Sequence, residues 1–257
     1  MKIFVCIKQV PDTETKVKLA TDKTSIDTTS VKWVMNPYDE YAVEEAIKTR
    51  DANAGSQVWA ISVGPKKRVV EALRTALVMC ADEAIAIDAP ESLDQFQTAK
   101  TLASVIQQEG DAKVIFTGKL AIDDNASAVS QMVAEFLNIP HATVVSKFSF
   151  NGENIVVERD ADGGSREVMQ MQAPAVVAAN KGLNMPRYAS LPGIMKAKKK
   201  TIKEVDGAAL LAGSNNKLKV VSMEMPPEKP AVKLLPGDAA AQSAALVNAL
   251  RNEAKVL

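Results

Sequence analysis

Three short segments of this chain have the residue types and spacing of loops that bind a nucleotide. They are the residues after Cys6-Ile7, the Val63-Gly64-Pro65 turn and the segment Gly118–Asp124. Each follows an apolar run that predicts a buried strand, and ligands of an open parallel sheet bind beyond the carboxyl ends of its strands. Glycine lets the backbone approach a ligand, and the helix predicted after Asp124 offers free N–H groups to a phosphate. The indicated chemistry is nucleotide binding, to which Asn36 at another helix start could contribute.

The chain lacks the patterns of the common nucleotide-dependent enzymes. It has no Gly-x-Gly-x-x-Gly and no P-loop, which argues against a hydride-transfer dehydrogenase or an NTPase. A nucleotide-binding regulatory or ATP-pyrophosphatase-like domain stays an alternative, although no Ser-Gly-Gly loop follows the first strand. No metal-ligand spacing appears, and the single histidine, His141, has no partner residues near it in sequence. We therefore expect no metal site and no bond-making catalytic residue.

A further segment, Asn184–Lys200, has the composition of a surface that binds a partner protein. Pro186 and Pro192 restrict the backbone, and several lysines follow them. Tyr188 and Leu191 between the prolines have no helical or strand spacing that would bury them. An apolar residue on a stiff loop is typical of an interaction anchor. The alternative is an ordinary connector whose leucine packs on its own core.

Composition describes an ordinary globular chain. Of its 257 residues, 47% are hydrophobic, and its 31 Lys and Arg balance its 31 Asp and Glu, which argues against general nucleic-acid binding. Two cysteines are too few for a disulfide framework. The first residues enter a strand without the pattern of a signal peptide, and no apolar run reaches membrane-spanning length. We expect a cytoplasmic protein that is not an integral membrane protein.

Apolar runs alternate with helical patterns over the first half of the chain. Strands are predicted at residues 3–7, 58–63, 84–87 and 114–117, and helices from Asn36-Pro37 onward and at residues 69–80, 94–108 and 127–137. The polar stretch 12–32 has room for a hairpin. This alternation predicts an α/β fold with a doubly wound, mostly parallel, Rossmann-like sheet of the type that binds adenine nucleotides.

The pattern changes after Pro140. Residues 144–150, 155–160 and 165–172, separated by turn residues, predict an antiparallel hairpin extension, and residues 175–179 could rejoin the main sheet. Residues 218–225 are predicted as the last strand. A proline-rich spacer and a helix at 239–254 follow. We expect a nucleotide-binding domain at 1–225 and an extended C-terminal arm at 226–257, whose helix packs on another chain or folds back onto its own domain.

Several motifs, in order, resemble those of the β subunits of electron transfer flavoproteins. The motifs are Phe4–Gln9, Met35–Glu40, Ala42–Ala46, Gly118–Asp124, Asp162–Gly164 and Pro186–Lys200. The resemblance implies a heterodimer with an α subunit that holds FAD near the interface, and the C-terminal arm would reach across to that subunit. The pair would carry electrons from acyl-CoA dehydrogenases, as in fatty acid β-oxidation, to a membrane quinone oxidoreductase. The chain would be an electron-carrier subunit, not an enzyme in its own right.

The resemblance also implies an AMP, held as a structural nucleotide, in the loops described above. By position its contacts would be Cys6, Asn36, Pro37, Tyr38, Asp39, Val63, Gly118, Lys119, Leu120, Ala121, Ile122, Asp123, Asp124, Asn125, Ala126, Ser127, Ala128 and Val129. Relatives often have Asn-Gln-Thr where this chain has Ser127-Ala128-Val129, so polar side chains for the phosphate are mostly lost. Backbone N–H groups would take over that contact.

The partner-binding segment follows from the same resemblance. Leu191 would dock into the dehydrogenase, and the expected docking residues are Arg187, Tyr188, Leu191, Pro192, Ile194, Met195, Lys196 and Lys199. Asp160 would face the flavin domain of the α subunit, or else be an ordinary solvated carboxylate of a hairpin.

An electron-bifurcating β subunit, which binds a second FAD in place of AMP, is the alternative within the family. Such relatives usually have Gly-Asp-Thr after the first aspartate of this loop, whereas Asp124-Asn125-Ala126 follows Asp123 here. Asp124 would obstruct the larger cofactor. The sequence therefore favours AMP.

Overall fold

A computed structural model describes all residues, 1–257, as two compact units. The larger unit comprises Met1–Lys18 and Ile26–Val221, and the smaller one comprises Leu19–Ser25 and Ser222–Leu257. The elements, in chain order, are β1 (Lys2–Cys6), β2 (Gln9–Pro11), β3 (Trp33–Met35), α1 (Pro37–Ala52), β4 (Gln57–Gly64), α2 (Lys66–Val78), β5 (Glu83–Asp88), α3 (Gln95–Glu109), β6 (Ala112–Gly118), α4 (Val129–Leu137), β7 (His141–Phe150), β8 (Asn154–Asp160), β9 (Arg166–Gln172), β10 (Ala175–Ala179), α5 (Leu191–Lys199), β11 (Lys203–Asp206), α6 (Gly207–Leu211) and α7 (Ala239–Asn248).

A nine-stranded sheet organises the larger unit. Its strand order is β11-β5-β4-β1-β6-β10-β7-β8-β9. The seven strands from β11 to β7 pair in parallel, and β8 and β9 extend the sheet as an antiparallel hairpin. The predicted doubly wound, mostly parallel sheet with a hairpin extension is therefore confirmed. The strand at 175–179 does rejoin the main sheet, as β10 between β6 and β7.

Apolar residues on both faces of the central strands explain the helical layers. Ile3 and Val5 of β1 belong to the core beneath α1 and α2, whereas Phe4 and Cys6 belong to the core beneath α3 and α4. Successive side chains of a strand point to opposite faces, so an unbroken apolar strand needs helices on each side. This arrangement fixes the carboxyl ends of β1, β4 and β6 side by side at one edge of the sheet.

The predicted strand at 218–225 is wrong. These residues form no regular structure, and Leu218, Val220 and Val221 are exposed. The outer position beside β5 is occupied instead by β11, whose charged sequence carried no apolar signal. The Asp94 carboxylate accepts hydrogen bonds from the N–H groups of Lys217 and Leu218, which ties the chain there to the loop before α3.

Two further local structures differ from the sequence prediction. The segment expected to be a loop from 184 to 200 includes the helix α5, because the Ser190 hydroxyl accepts a hydrogen bond from Gly193 N at 3.1 Å and starts a helix. The hairpin that the polar stretch 12–32 had room for is formed by the residues on either side of it: strands β2 and β3 pair antiparallel.

The smaller unit has no buried residue between Ser222 and Leu257. Residues 222–238 are irregular, and α7 continues into a π-helical turn at Ala249–Glu253. The Asp238 carboxylate caps α7 by accepting a hydrogen bond from Ala241 N at 2.9 Å. Val232 and Leu234 are each more than four-fifths exposed, so this unit presents apolar surface without a core of its own.

Candidate functional site

Asp39 is the centre of the first candidate site, at the carboxyl ends of β1 and β6. Its Oδ2 accepts a hydrogen bond from Lys8 N at 2.7 Å, and its Oδ1 accepts one from Gly118 N at 3.0 Å. The residue is only 4% exposed. Burial raises the pKa of Asp39 to about 7, against the opposing effect of its hydrogen-bond donors. One buried carboxylate in the first turn of α1 thus joins two neighbouring strand ends.

Asn36, just before α1, joins this carboxylate to the loop after β6. Its Nδ2 donates to Asp39 Oδ1 and to the carbonyl of Leu120, both at 2.9 Å. Its Oδ1 accepts from Ile122 N at 3.2 Å. Asn36 occupies the N-cap position of α1, but its side chain makes no capping hydrogen bond to the helix. Asn36 instead fixes the path of the loop that begins at Gly118.

Gly118 is required at its position because there is no space for a side chain. A Cβ on Gly118 would lie 2.8 Å from Tyr38 Cβ and would overlap Asp39 Oδ1. Lys119 Nζ lies 5.0 Å from the centre of the Tyr38 ring, a cation–π contact. The structure thus brings together the site residues predicted at the start of α1 and at the end of β6.

Lys8 is an exposed residue next to the site, and the residue-by-residue prediction did not include it. Its Nζ lies 2.8 Å from Asp123 Oδ1 and 3.5 Å from Asp124 Oδ2. Asp124 Oδ2 also accepts from Gln95 Nε2 at 3.3 Å, and its Oδ1 accepts from Ala126 N at 3.1 Å. The available signal was the position of Lys8 directly after the first strand, where parallel-sheet sites form. Gln95, at the start of α3, had no such signal.

The start of α4 completes this edge of the site. Asn125 and Ser127, in the loop before it, have φ values of 51° and 48°. Ala128 is the N-cap residue, and no side chain caps the helix. The N–H groups of the first turn of a helix have no partner within that helix. The loop therefore ends in uncapped backbone donors of the kind that bind anions.

Cys6 and Val63, also predicted as cofactor contacts, lie on the neighbouring strand ends. Cys6 is the last residue of β1, and Val63 is half-buried near the end of β4. Burial raises the pKa of the Cys6 thiol far above its usual range, so it is an inert, protonated side chain. Neither residue has a hydrogen bond to the cluster around Asp39. Pro37 and Val129 are the first residues of α1 and α4, and Ala121 lies in the loop after β6.

The second candidate site is the surface of the segment Asn184–Lys200. Tyr188 is 96% exposed and Leu191, the first residue of α5, is 80% exposed, and Met185 and Met195 are exposed beside them. Leu191 is therefore not a core residue, and the alternative of a leucine folded onto its own core is wrong. Lys196, Lys198 and Lys199 end the helix, where cations complement its dipole. Exposed apolar side chains grouped in this way are typical of interaction surfaces.

The predicted docking residues are not all exposed in the same way. Pro192, Met195, Lys196 and Lys199 are exposed, whereas Ile194 is half-buried. The Arg187 side chain is directed to Glu44 of α1: Nε lies 2.7 Å from Oε2 and Nη2 lies 2.9 Å from Oε1. The prediction assigned no role to Glu44, because its sequence position in a helix gives no sign of this pair.

Asp160 ends β8 in the hairpin extension. Its carboxylate is exposed and accepts hydrogen bonds from Ser146 Oγ and Asn180 Nδ2, both at 3.1 Å. Arg166 Nε lies 3.5 Å from the same carboxylate. The residue is therefore held at the surface by polar neighbours, and it has no bond to either candidate site.

No group of three or more His, Cys, Asp or Glu side chains is arranged to hold a metal ion. None of the helices has both the length and the apolar character that a membrane span requires.

Comparisons with known proteins agree with the resemblance that the sequence motifs indicated. A family model described as the electron transfer flavoprotein domain matches residues 23–210. The chain is 41% identical to the mitochondrial electron transfer flavoprotein subunit beta of Oryza sativa subsp. indica and 39% identical to the subunit beta of Bacillus subtilis (strain 168), with all of each chain covered. It is 40% identical to the subunit beta of Homo sapiens over 90% of this chain and 91% of the human one. With its parallel sheet, its loop cluster around Asp39 and Gly118 and these full-length similarities, the chain belongs to the electron transfer flavoprotein β-subunit family.

Proposed function

We propose that this chain forms a heterodimer with an FAD-bearing α subunit and carries electrons from acyl-CoA-type dehydrogenases to a membrane quinone oxidoreductase. It supplies no nucleophile or general base, and its part is to dock the donor and to support the flavin-bearing subunit. The observation that carries this proposal is the exposure of Tyr188 and Leu191 on a segment fixed to the core. Because Leu191 is held exposed at the rigid start of a helix, a partner can bind it without first ordering the segment.

The charges around this anchor favour an acidic donor surface. Lys196, Lys198 and Lys199 lie within one turn at the end of α5, on a chain with no net charge. Local positive charge accelerates association with a negative surface and loses this effect as salt screens it. Leu191 would supply affinity, and the lysines would supply the rate of encounter.

AMP fits the first candidate site as a structural nucleotide. The uncapped start of α4 offers backbone N–H groups to a phosphate, as the loss of polar side chains at 127–129 requires. Asn36 and Asp39 hold the loop from Gly118 in the path that leads to these donors. Lys8 offsets part of the negative charge of Asp123 and Asp124, which reduces their repulsion of an anion. AMP would add no redox chemistry and would tie the loop to the helix start.

The position of Asp124 supports one AMP over a second FAD. Its carboxylate spans the space between Lys8, after β1, and Gln95, at the start of α3. A larger cofactor in this place would have to displace it. An electron-bifurcating subunit with a second flavin is thus the less favoured alternative.

The cofactors released from the purified heterodimer test these assignments. We expect one FAD and one AMP per heterodimer after heat release, identified by mass spectrometry. Two FAD would overturn the assignment to the non-bifurcating type. A colourless preparation without flavin would favour a nucleotide-binding regulatory domain.

The C-terminal arm and the location complete the proposal. The exposed apolar residues beyond Ser222 support an arm that packs on the α subunit. The cytoplasmic location stays a prediction, and a relative from rice carries a mitochondrial name. Cell fractionation with an antibody to the chain would test it.

A further inference from the structure

The segment that carries Leu191 is fastened to the core on its N-terminal side by one buried carboxylate. Glu44 of α1 is 6% exposed. It accepts three hydrogen bonds from Arg187: from the backbone N–H at 3.1 Å, from Nε at 2.7 Å and from Nη2 at 2.9 Å. The pair has the bidentate geometry that makes arginine–carboxylate contacts directional. The residue directly after Arg187 is the fully exposed Tyr188.

Asn184 adds a second attachment on the same side. Its Nδ2 donates to the Tyr41 carbonyl at 2.9 Å and to Glu45 Oε2 at 2.8 Å. Both acceptors belong to α1, as Glu44 does. Five consecutive residues of α1, Tyr41–Glu45, therefore include all the acceptors that hold Asn184 and Arg187, next to the exposed apolar surface.

The C-terminal side is fastened to α2 independently. Arg74 Nη1 donates to the carbonyls of Ala197 and Lys200, both at 2.6 Å, at the end of α5. A Cβ on Gly193 would lie 2.8 Å from the Val78 carbonyl, so only glycine allows α5 to approach α2 this closely. Between the two attachments the chain has no buried side chain from Arg187 to Pro192.

We propose that Glu44 is a positioning residue for donor docking: by holding Arg187 it fixes Tyr188 and Leu191 in the binding conformation before the donor arrives. This inference rests on the proposed docking role of Leu191. The inference also assigns Arg187 an inward role, since two of its three side-chain nitrogens, Nε and Nη2, donate to Glu44. Without the clamp, the exposed residues would have to be ordered on binding, and that ordering weakens association.

A double-mutant cycle on the heterodimer tests the proposal. The variants are Glu44→Gln, Leu191→Ala and the two combined. Arg68→Lys is the control, because Arg68 Nη2 makes a single ion pair, 2.7 Å, to the exposed Glu91 outside this segment. The measured quantities are KM and kcat for reduction of the heterodimer by an acyl-CoA dehydrogenase with its acyl-CoA, together with FAD content and amide hydrogen exchange over residues 184–192.

We expect Glu44→Gln to raise KM roughly three- to tenfold, the cost of ordering one or two side chains, with kcat and FAD content unchanged. Amides of the segment should exchange faster, and Arg68→Lys should change neither quantity. In the Leu191→Ala background, Glu44→Gln should raise KM by a smaller factor than in the wild type, because part of the effect of the clamp is exerted through Leu191.

Three results separate the possible failures. If Leu191→Ala raises KM but Glu44→Gln does not, the positioning role is wrong while the docking function stands. Additive effects would show that Glu44 acts elsewhere. If Leu191→Ala leaves KM unchanged, the proposed docking function itself is wrong. Should Glu44→Gln yield no heterodimer, Arg187→Lys takes its place in the cycle. It keeps the charge but loses the bidentate contact, and additivity with Leu191→Ala would again overturn the proposal.

Discussion

Gly118 N donates to Asp39 Oδ1 at 3.0 Å, and a Cβ on residue 118 would clash with the same oxygen. The absence of a side chain at Gly118 is thus what allows this hydrogen bond between β6 and α1 to form. Any side chain at 118 must break it. The contact fixes the start of the loop for which we propose AMP.

Gly118→Ala should lower the free energy of unfolding by about 1–3 kcal/mol, the usual cost of overpacking a filled site. The physical reason is the overlap with Asp39 and the 2.8 Å approach to Tyr38 Cβ. We also expect less AMP in the purified heterodimer. Thermal unfolding and nucleotide analysis check both, and a variant with unchanged Tm and full AMP would contradict this account of the loop.

Stability should depend on pH through Asp39. Its pKa is about 7 in the folded chain and about 4 when unfolded, so the folded state binds the proton more tightly between these values. The stabilisation of the folded state by this tighter proton binding is complete below pH ~4 and is lost as pH rises to about 7. In denaturant titrations, the difference in unfolding free energy between the wild type and Asp39→Asn should therefore fall over this interval. A difference that rises or stays constant would contradict it.

Removing residues 226–257 should weaken the heterodimer without unfolding the larger unit. No residue of this range is buried within the chain, whereas Val232, Leu234 and Leu246 are exposed. The full chain expressed alone should aggregate for the same reason. Sedimentation of the full-length and truncated heterodimers checks the first statement, and sedimentation of the full-length chain alone checks the second. A well-behaved truncated form with unchanged affinity for the α subunit would show that the arm does not hold the partner.

The fold followed from the sequence wherever local signals were strong. Apolar runs such as Ile3–Ile7 predicted buried parallel strands, because only strands covered on both faces are apolar throughout. The strand at 203–206 was missed because it lies at the edge of the sheet and its residues are mostly charged. The strand predicted at 218–225 was wrong because most of the apolar side chains of that segment are exposed and the segment pairs with no sheet. A short apolar segment does not by itself show whether a neighbouring strand is available.

The two candidate sites were predicted in part from the sequence, and some of their contacts could not be predicted. Motif order located the Asn36, Asp39 and Gly118 cluster, and the prolines pointed to the exposed Leu191. The contacts of Glu44 with Arg187 join residues 143 positions apart, and no local pattern predicts which of several helix carboxylates makes such a pair.

Leu191→Ala, assayed by reduction of the heterodimer with an acyl-CoA dehydrogenase, tests the central claim most directly. Filling a pocket with a leucine contributes about 1.5–3 kcal/mol, so KM for the donor should rise roughly 10- to 100-fold. Because Leu191 is 80% exposed, Tm and FAD content should stay the same, and Val168→Ala, on another exposed surface, should leave KM unchanged. Intact donor kinetics in Leu191→Ala, or a Tm lowered by several degrees, would contradict the account.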